Sequence, residues 1–277
     1  MILSFHPIIE ADRNIICAGR EPNDADLAAI QQAQAIILPQ GCTEPLYRMI
    51  RDNCDHFFPN MDVRYDYPGK CRQIDLFREF DIAHPLTTVF NCTAELGPLN
   101  SIELPAVIKL NWGGQGDTVF KAQDIETLQA IIHRIKKFEE SGQTGFIVQK
   151  WIASANKSLR VVVVGHQMFS YWRIQPQETQ FGDSLSKGAR IDHDTDAHLQ
   201  SAAKQVVSRF CEKSGLQLAG LDFIFDIKML EKGRIEPLML EINYFFGRTG
   251  LGGSQRYYEL FTQATDQWLA SIGLQRS

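Results

Sequence analysis

The sequence lacks the features that mark several classes of protein. No apolar run is long enough for a transmembrane helix, and Met1 opens an apolar stretch with no basic segment before it, so we expect no membrane span and no signal peptide. No block of lysine or arginine stands out in a chain of net charge −5, which argues against nucleic acid as the main partner. The six cysteines follow no C-x-x-C spacing, which favours reduced thiols in a cytoplasmic protein.

Two nucleotide-binding signatures are also missing, because the chain contains neither G-x-G-x-x-G nor a Walker A loop. What is present is an α/β pattern over 277 residues, with 44% hydrophobic residues to build a core. Short apolar strands alternate with helices over residues 1–69, which predicts a small parallel sheet, with Asp24 as the cap of its first helix. We interpret this unit as a scaffold that shapes one wall of a cleft.

The turn at Tyr67-Pro68-Gly69 is the first predicted domain boundary, and the strand ending near Ile152 leads to the second. The pattern therefore divides the chain into an N-terminal unit (1–69), a central unit (70–150) and a C-terminal unit (151–277). Long amphipathic helices are predicted at 124–140, 196–214 and 254–271.

A glycine-rich loop is the first candidate binding element. Lys109 lies in an apolar strand that runs into Gly113, Gly114 and Gly116, and a second strand follows. Closely spaced glycines let backbone N–H groups approach an anion, so the pattern favours a hairpin tip that covers phosphates, although an ordinary glycine-rich hairpin fits as well. Lys70 at the start of a predicted helix is either a second phosphate contact or a solvated lysine.

Two arginines flank a predicted β-hairpin that turns at Gly165-His166. Arg160 and Arg173 then lie roughly across from each other, and two such cations repel unless an anion sits between them. They are either that anion's ligands or solvated side chains at a rim. Lys187 and Arg190 follow in a polar loop.

A carboxylate cluster is predicted from the last two strands. Glu241 and Asn243 lie two residues apart on one strand and so share a face. If Lys232-Gly233 is a two-residue hairpin turn, Asp222 lies directly opposite Asn243 and one diagonal from Glu241. A hard cation such as Mg²⁺ would relieve the repulsion between the carboxylates, whereas isolated residues at strand ends would simply be solvated.

The order of these features resembles the ATP-grasp superfamily, and in particular the branch of glutathione synthetase and of the ligase that adds glutamate to a ribosomal protein. The motifs carrying it are Val107-Ile-Lys109 with Gly113–Gly116, and Ala219-Gly-Leu-Asp222 with Leu240-Glu-Ile-Asn243. The resemblance implies an ATP-grasp fold, in which two α+β subdomains clasp ATP after a small Rossmann-like N-terminal domain.

The resemblance also implies roles for the matching residues. ATP contacts would come from Lys70, Lys109, the three loop glycines, and the hinge formed by Gln149, Lys150, Trp151 and Ile152. One or two Mg²⁺ ions, with Mn²⁺ able to substitute, would be held by Asp222, Glu241 and Asn243. Arg160 and Arg173 would be catalytic, and Lys187, Arg190 and Arg248 would be candidates for binding a substrate carboxylate.

The implied reaction is the phosphorylation of a carboxylate by ATP followed by attack of an amine, on a small-molecule or peptide substrate. Three positions depart from the family's pattern. Lys150 replaces an acidic residue, Ser158 replaces an aspartate that contacts nucleotide, and Ser184 replaces an asparagine. One alternative is an ATP-grasp phosphotransferase without an amine step. The other, left open by Ser158 and Ser184, is a nucleotide-binding module that has lost catalysis.

Overall fold

The computed structural model describes residues 1–114, 116–176, 182 and 188–276. Three β-sheets occupy successive stretches of the chain. The first has strand order β2-β1-β3-β4, the second β5-β8-β6-β7 and the third β11-β10-β9-β12-β13. The mixed α/β class predicted from the sequence is confirmed.

The first sheet is parallel throughout. Its strands are β1 (Ile2–Ser4), β2 (Arg13–Asn14), β3 (Ala35–Ile37) and β4 (Phe57–Phe58), with helices α1 (Asp24–Gln31), α2 (Glu44–Arg51) and α3 (Asp62–Asp66). The cap of α1 was predicted wrongly: Asn23, not Asp24, accepts hydrogen bonds from Ala25 N and Asp26 N. Asn23 is better placed because its backbone is extended, as an N-cap requires.

The second sheet carries the glycine-rich loop. Helix α4 (Gly69–Glu79) precedes β5 (Thr87–Phe90), β6 (Ala106–Leu110), β7 (Val119–Ala122), α5 (Ile125–Glu140) and β8 (Phe146–Lys150). β6 and β7 form an antiparallel hairpin whose connection is the glycine loop, as predicted. The apolar face of α5, including Leu128 and Ile132, packs on this sheet.

The third sheet is antiparallel and holds most of the predicted site. Its elements are β9 (Lys157–Val164), β10 (Gln167–Ile174), β11 (Arg190–Asp192), α6 (Ala197–Ser214), β12 (Leu218–Ile224), α7 (Ile227–Leu230), β13 (Leu238–Asn243) and α8 (Ser254–Ser271). The predicted two-residue turn at Lys232-Gly233 is wrong, because α7 occupies part of the connection between β12 and β13.

The hydrophobic cores show how the sheets are joined. One core combines β1, β3 and β4 with β9, β10 and α8, so the first and third sheets share buried residues such as Phe58, Val162 and Phe261. The core under α5 is built from residues of the central stretch alone. Among the described residues, no helix is both long and apolar enough to traverse a bilayer.

Candidate functional site

The candidate site lies on one face of the third sheet, where charged side chains from adjacent strands form a row. Arg160 on β9 pairs with Asp222 on β12, and Asp222 pairs with Glu241 on β13. The predicted register, with Asp222 opposite Asn243, is therefore wrong; Gly220 holds that place. A β-bulge between Asp222 and Phe223 shifts the pairing, a feature common beside active sites.

Asp222 is the anion between the two predicted arginines. Arg160 donates to both carboxylate oxygens, from Nε and from Nη2, at 2.7 Å each, and Nη2 of Arg173 lies 3.0 Å from Oδ2. Asp222 is 1% exposed, so these bonds form away from water. Burial by itself would raise the pKa of the Asp222 carboxyl, but the two arginines outweigh it and hold the pKa below its ordinary value.

Arg173 also takes part in a second contact on this face. Its Nε and Nη2 donate to Ser158 Oγ at 3.2 and 2.8 Å, and Ser158 is its direct partner across the hairpin. The hydroxyl at 158 therefore holds the arginine in place without adding a negative charge. Arg160 and Arg173 are diagonal neighbours, close to the predicted arrangement.

Asn243 joins the two carboxylates. Its Nδ2 donates to Asp222 Oδ2 at 2.9 Å and to Glu241 Oε1 at 3.0 Å. The three predicted metal ligands thus converge despite the altered register, since all three side chains lie on one face. Among the described residues, no group of three His, Cys, Asp or Glu side chains forms a ready-made metal site.

Lys70 reaches this region from α4. Its Nζ donates to the carbonyls of Gly113 and Trp112 at 3.1 and 3.4 Å, so the amino group lies against the glycine loop. Within the described ranges it forms no ion pair. Burial lowers the pKa of Lys70, and the negative charge of Glu241 partly opposes that shift, which places the lysine within electrostatic reach of that carboxylate.

Two glycines fix the approach of α4 to the loop. Gly69 has φ +72°, and an added Cβ would lie 2.4 Å from Asn111 Oδ1. The same oxygen accepts from Cys71 N at 2.9 Å, which satisfies one of the free N–H groups at the helix start. Gly113, at φ +81°, leaves no room for a Cβ beside Thr118. The loop and the first turn of α4 are therefore held as one piece.

Lys109 is 6% exposed and lies between β7 and β8, opposite Val119 and Ile147. Gly114 and Gly116 lie in the loop that follows β6, so the predicted lysine and loop are adjacent. The order of residues alone was enough to predict this neighbourhood.

The predicted hinge runs from the end of β8 into the connection to β9. Gln149 is buried and donates to Thr87 Oγ1 at 2.9 Å, while Lys150 points to the surface and pairs with Glu103 at 2.9 Å. The backbone N–H of Trp151 donates to Pro105 O at 3.3 Å, and Ile152 follows it. The segment links the second and third sheets.

The predicted substrate residues are spread more widely. Arg190 is exposed on the edge strand β11, and Lys187, together with the departure at Ser184, lies outside the described residues. Arg248 lies in the loop between β13 and α8, and its Cζ is 4.1 Å from the ring centre of Tyr257. Of the two that the structure describes, Arg248 is the one in an aromatic, half-buried setting.

Sequence reasoning missed Gln73. Its side chain is buried and bonds to both backbone groups of Ile242, donating at 3.0 Å to the carbonyl and accepting at 2.9 Å from the N–H. Ile242 lies between Glu241 and Asn243, so Gln73 fastens α4 to the strand that carries both predicted ligands. No local pattern in the sequence indicates this contact.

Similarity to known proteins indicates the family of the chain. The RimK-like ATP-grasp domain family matches residues 70–258. A probable alpha-L-glutamate ligase from Xylella fastidiosa is 29% identical over 148 residues, which are 53% of this chain and 44% of the relative. One from Rhodopirellula baltica is 26% identical over 187 residues, 66% of this chain and 42% of the relative. The matches thus span less than half the length of these relatives.

Solved structures show the same fold. A RimK domain ATP-grasp protein from Sphaerobacter thermophilus has a TM-score of 0.59 at 17% identity, covering 85% of this chain and 81% of that one. A D-alanine–D-alanine ligase from Bacillus anthracis has a TM-score of 0.62 at 13% identity, covering 93% of this chain and 84% of the other. At these identities the likeness establishes the fold alone.

Proposed function

The chain belongs to the family of RimK-like ATP-grasp domains, and from that premise we propose that it is an ATP-dependent carboxylate–amine ligase that forms ADP. The observation that carries the proposal is the row Arg160–Asp222–Glu241, which Asn243 joins by hydrogen bonds. Lys70 of α4 donates to the glycine loop and lies within electrostatic reach of Glu241. The row sets cations and oxygen ligands side by side, as transfer of a phosphoryl group requires.

Lys70 and Lys109 are the proposed phosphate contacts of ATP. The supporting fact is that Lys70 Nζ is half-buried yet bonds only to backbone carbonyls, so its charge lacks a carboxylate partner among the described residues. A phosphate brought under the loop of Gly113, Gly114 and Gly116 would provide one. The backbone from Gln149 to Ile152 would hold the adenine.

Asp222, Glu241 and Asn243 are the proposed ligands of Mg²⁺. Their oxygens suit a hard cation, and Mg²⁺ in nucleotide sites is usually held by one or two carboxylates together with phosphate oxygens. Because Asp222 is already bonded to two arginines, Glu241 is the carboxylate best placed to take a cation. A bound Mg²⁺ would neutralise charge on the phosphates; one or two ions, and Mn²⁺ in their place, fit the same ligands.

Arg160 and Arg173 are the proposed catalytic residues. Asp222 and Ser158 hold their guanidinium groups before any substrate arrives, and Arg160 Nη1 takes no part in the Asp222 pair. Donors fixed in this way stabilise developing charge without a cost of reorganisation. No protein nucleophile is needed, because the carboxylate substrate itself attacks the γ-phosphate.

The substrates are a small molecule or peptide with a carboxylate, and an amine acceptor. The relatives named above as glutamate ligases support an amino acid or peptide. We assign no role in binding nucleic acid or membranes. The division of the chain into three units at residues 69 and 150 remains part of this proposal. So does a cytoplasmic location, which the six free thiols support.

Hydroxylamine trapping tests the proposal directly. The protein is incubated with ATP, Mg²⁺ and each member of a panel of carboxylic acids, and hydroxylamine converts any acyl phosphate into a coloured hydroxamate. We expect hydroxamate in step with ADP for at least one acid. ADP with a stable phosphorylated product would support a phosphotransferase instead.

A second candidate is a nucleotide-binding module without catalysis, and the observation favouring it is that arginines occupy both oxygens of Asp222. Calorimetry with ATP and Mg²⁺ separates the two. Binding without ADP formation from any acid would favour the module, and absence of nucleotide binding would reject both functions.

A further inference from the structure

A small cavity lies where the loop after β3 and the start of α3 meet the start of β12 and the end of β13. Its volume is about 10 Å³, which is enough for one water-sized species. Its lining includes the polar side chains of Gln40, Asn60, Arg64 and Tyr244, and the remaining wall is apolar. The proposed ligase reaction uses none of these residues.

Tyr244 contributes an unpaired donor to this cavity. Its hydroxyl is buried and has no hydrogen-bond partner within the described part of the chain, while its carbonyl accepts from Gln40 Nε2 at 2.8 Å. Burial raises the pKa of the hydroxyl above its ordinary value, so the group stays a neutral O–H donor. The charge of Arg64 partly opposes that shift, which places the guanidinium within electrostatic reach of the hydroxyl. A buried donor without a partner calls for an explanation, and a ligand in the cavity supplies one.

Arg64 brings a positive charge to the same cavity. Its Nη1 donates to Gln40 O at 2.9 Å, and its Cζ lies 4.9 Å from the ring centre of Tyr65 and 4.6 Å from that of Phe245. Over the ranges that the structure covers, the side chain forms no ion pair, and its Nε and Nη2 make no hydrogen bond. The guanidinium is therefore held in place with donors to spare and with no negative charge bonded to it.

The lining supplies donors rather than acceptors. Among its described side chains, both amide oxygens already accept hydrogen bonds: Gln40 Oε1 from the Tyr257 hydroxyl at 3.3 Å, and Asn60 Oδ1 from Asp62 N at 2.8 Å. The Asp62 carboxylate accepts from Asn60 Nδ2 at 3.2 Å and pairs with Arg51 at 3.0 Å, so its charge is compensated. A buried water needs acceptors as well as donors, whereas an anion needs donors alone. The lining therefore suits an anion better than a water.

We propose that this cavity is a binding site for one monatomic anion of the chloride class, held by the Tyr244 hydroxyl and the Arg64 guanidinium. A carboxylate or a phosphate is too large for a volume of about 10 Å³. The bound ion ties α3 to the residue directly after Asn243, and so joins the unit of the first sheet to the strand that carries the proposed Mg²⁺ ligands. The site goes beyond the ligase reaction and does not depend on it.

A chloride titration of the full chain tests the proposal. The melting temperature is measured in sodium gluconate, whose anion is too large for the cavity, and sodium chloride then replaces gluconate at constant ionic strength. A ligand that binds the folded chain alone stabilises it with the logarithm of its concentration above Kd. Each further tenfold of chloride should therefore raise the melting temperature by about 3–5 °C. A melting temperature that does not depend on chloride would overturn the site.

Tyr244→Phe removes the unpaired hydroxyl and keeps the ring. Because the hydroxyl has no protein partner, the variant should melt no lower than the wild type in gluconate, and its melting temperature should no longer rise with chloride. Tyr67→Phe is the matched control, since that hydroxyl bonds to Glu79 at 2.6 Å and neither residue lines the cavity; it should keep the chloride response. A Tyr244→Phe variant that melts lower by the same amount with and without chloride would indicate a water at the hydroxyl and contradict the anion.

Arg64→Met removes the charge and keeps much of the apolar stem. The chloride affinity read from the melting curves should fall about tenfold or more. Arg72→Met is the control, because Arg72 also lies over a tyrosine ring, 5.4 Å from the centre of Tyr67, but is paired with Asp75; its affinity should stay within about twofold of the wild type. If Arg64→Met does not fold, Arg64→Lys against Arg72→Lys gives the same comparison with a smaller loss. Equal affinity in the two variants would exclude Arg64 from the site.

Bromide locates the ion directly. It shares the chemistry of chloride and scatters X-rays anomalously, so wild-type crystals grown in gluconate and soaked in sodium bromide should show an anomalous peak within hydrogen-bond distance of Tyr244 Oη. The same soak of Tyr244→Phe crystals should show no peak there. A wild-type cavity that holds a water and no bromide would reject the anion site, even if chloride stabilises the chain at its surface.

Discussion

Replacing Asp222 with Asn should destabilise the fold much more than a lost surface charge would. Asp222 is the shared counter-ion of Arg160 and Arg173, and all three are at most 8% exposed. The substitution keeps the shape of the side chain but leaves two buried guanidinium groups without a negative charge. Breaking a buried ion pair by removing one partner costs about 3–5 kcal/mol. At about 2–4 °C per kcal/mol for chains of this size, the melting temperature should fall by roughly 6–20 °C.

The chain contains a matched control for this experiment. Asp66 is also an aspartate beside two arginines, Arg48 at 2.8 Å and Arg51 at 3.9 Å, but its side chain is 39% exposed. Asp66→Asn should therefore cost less than about 1 kcal/mol, because exposed pairs are screened by water. Urea unfolding followed by circular dichroism measures both variants.

Two results would refute the reasoning. One is a loss for Asp222→Asn no larger than that for Asp66→Asn. The other is a double-mutant cycle in which Arg160→Met in the Asp222→Asn background recovers nothing, since removing one of the two unpaired cations should return part of the stability. Activity of Asp222→Asn must be measured well below its lowered melting temperature, so that loss of turnover is not confused with unfolding.

Four further predictions concern single residues. Glu241→Gln should weaken Mg²⁺–ATP binding about tenfold or more in calorimetry while the free energy of unfolding changes by less than about 1 kcal/mol; unchanged affinity would remove Glu241 from the metal site. Lys109→Ala should weaken ATP binding in the same assay, and wild-type affinity would exclude a phosphate contact. Gly69→Ala should cost about 1–3 kcal/mol in urea unfolding, because φ is +72° and Asn111 blocks the Cβ, whereas a neutral effect would mean that loop and helix adjust freely. Burial, and after it the charge of Arg248, lowers the pKa of His6 in the folded chain from 6.5 to about 4. The free energy of unfolding should therefore fall as the pH drops from 6.5 to about 4, because only the unfolded chain is protonated at His6 in that range, and the shift sets a maximum of roughly 3 kcal/mol. His6→Asn should flatten that part of the profile of unfolding free energy against pH.

The sequence was enough to predict the fold class and which residues lie together in the candidate site, where those neighbourhoods depend on local order. Residues close together in sequence keep their relative positions regardless of how the rest of the chain folds. Examples are a lysine in a strand before a glycine loop, and a carboxylate two residues from an amide on one strand. Lys109 with Gly113, and Glu241 with Asn243, are of this kind.

The register of Asp222 could not be predicted, because it depends on the connection between β12 and β13, which contains α7 and not a two-residue turn, and on a bulge beside Asp222 that shifts the pairing by one residue. The partner of the two arginines was missed because the pairing of β9 with β12 joins residues far apart in sequence. The pattern indicated an anion between the arginines, but that anion is Asp222, which was assigned to the metal. Gln73 acts through its contact with Ile242, far away in the chain, and such contacts depend on packing that a single sequence does not reveal.

The core shared by the first sheet and α8 limits where the protein can be truncated. The matched family segment begins at residue 70 and ends at residue 258, inside α8. A recombinant fragment with those ends would lack Phe58, Phe261 and Trp268, and would leave their partners in this core, such as Val162 and Tyr257, exposed. Such a fragment should precipitate on expression, and a longer version that keeps residues 1–69 and the whole of α8 is the smallest piece worth purifying.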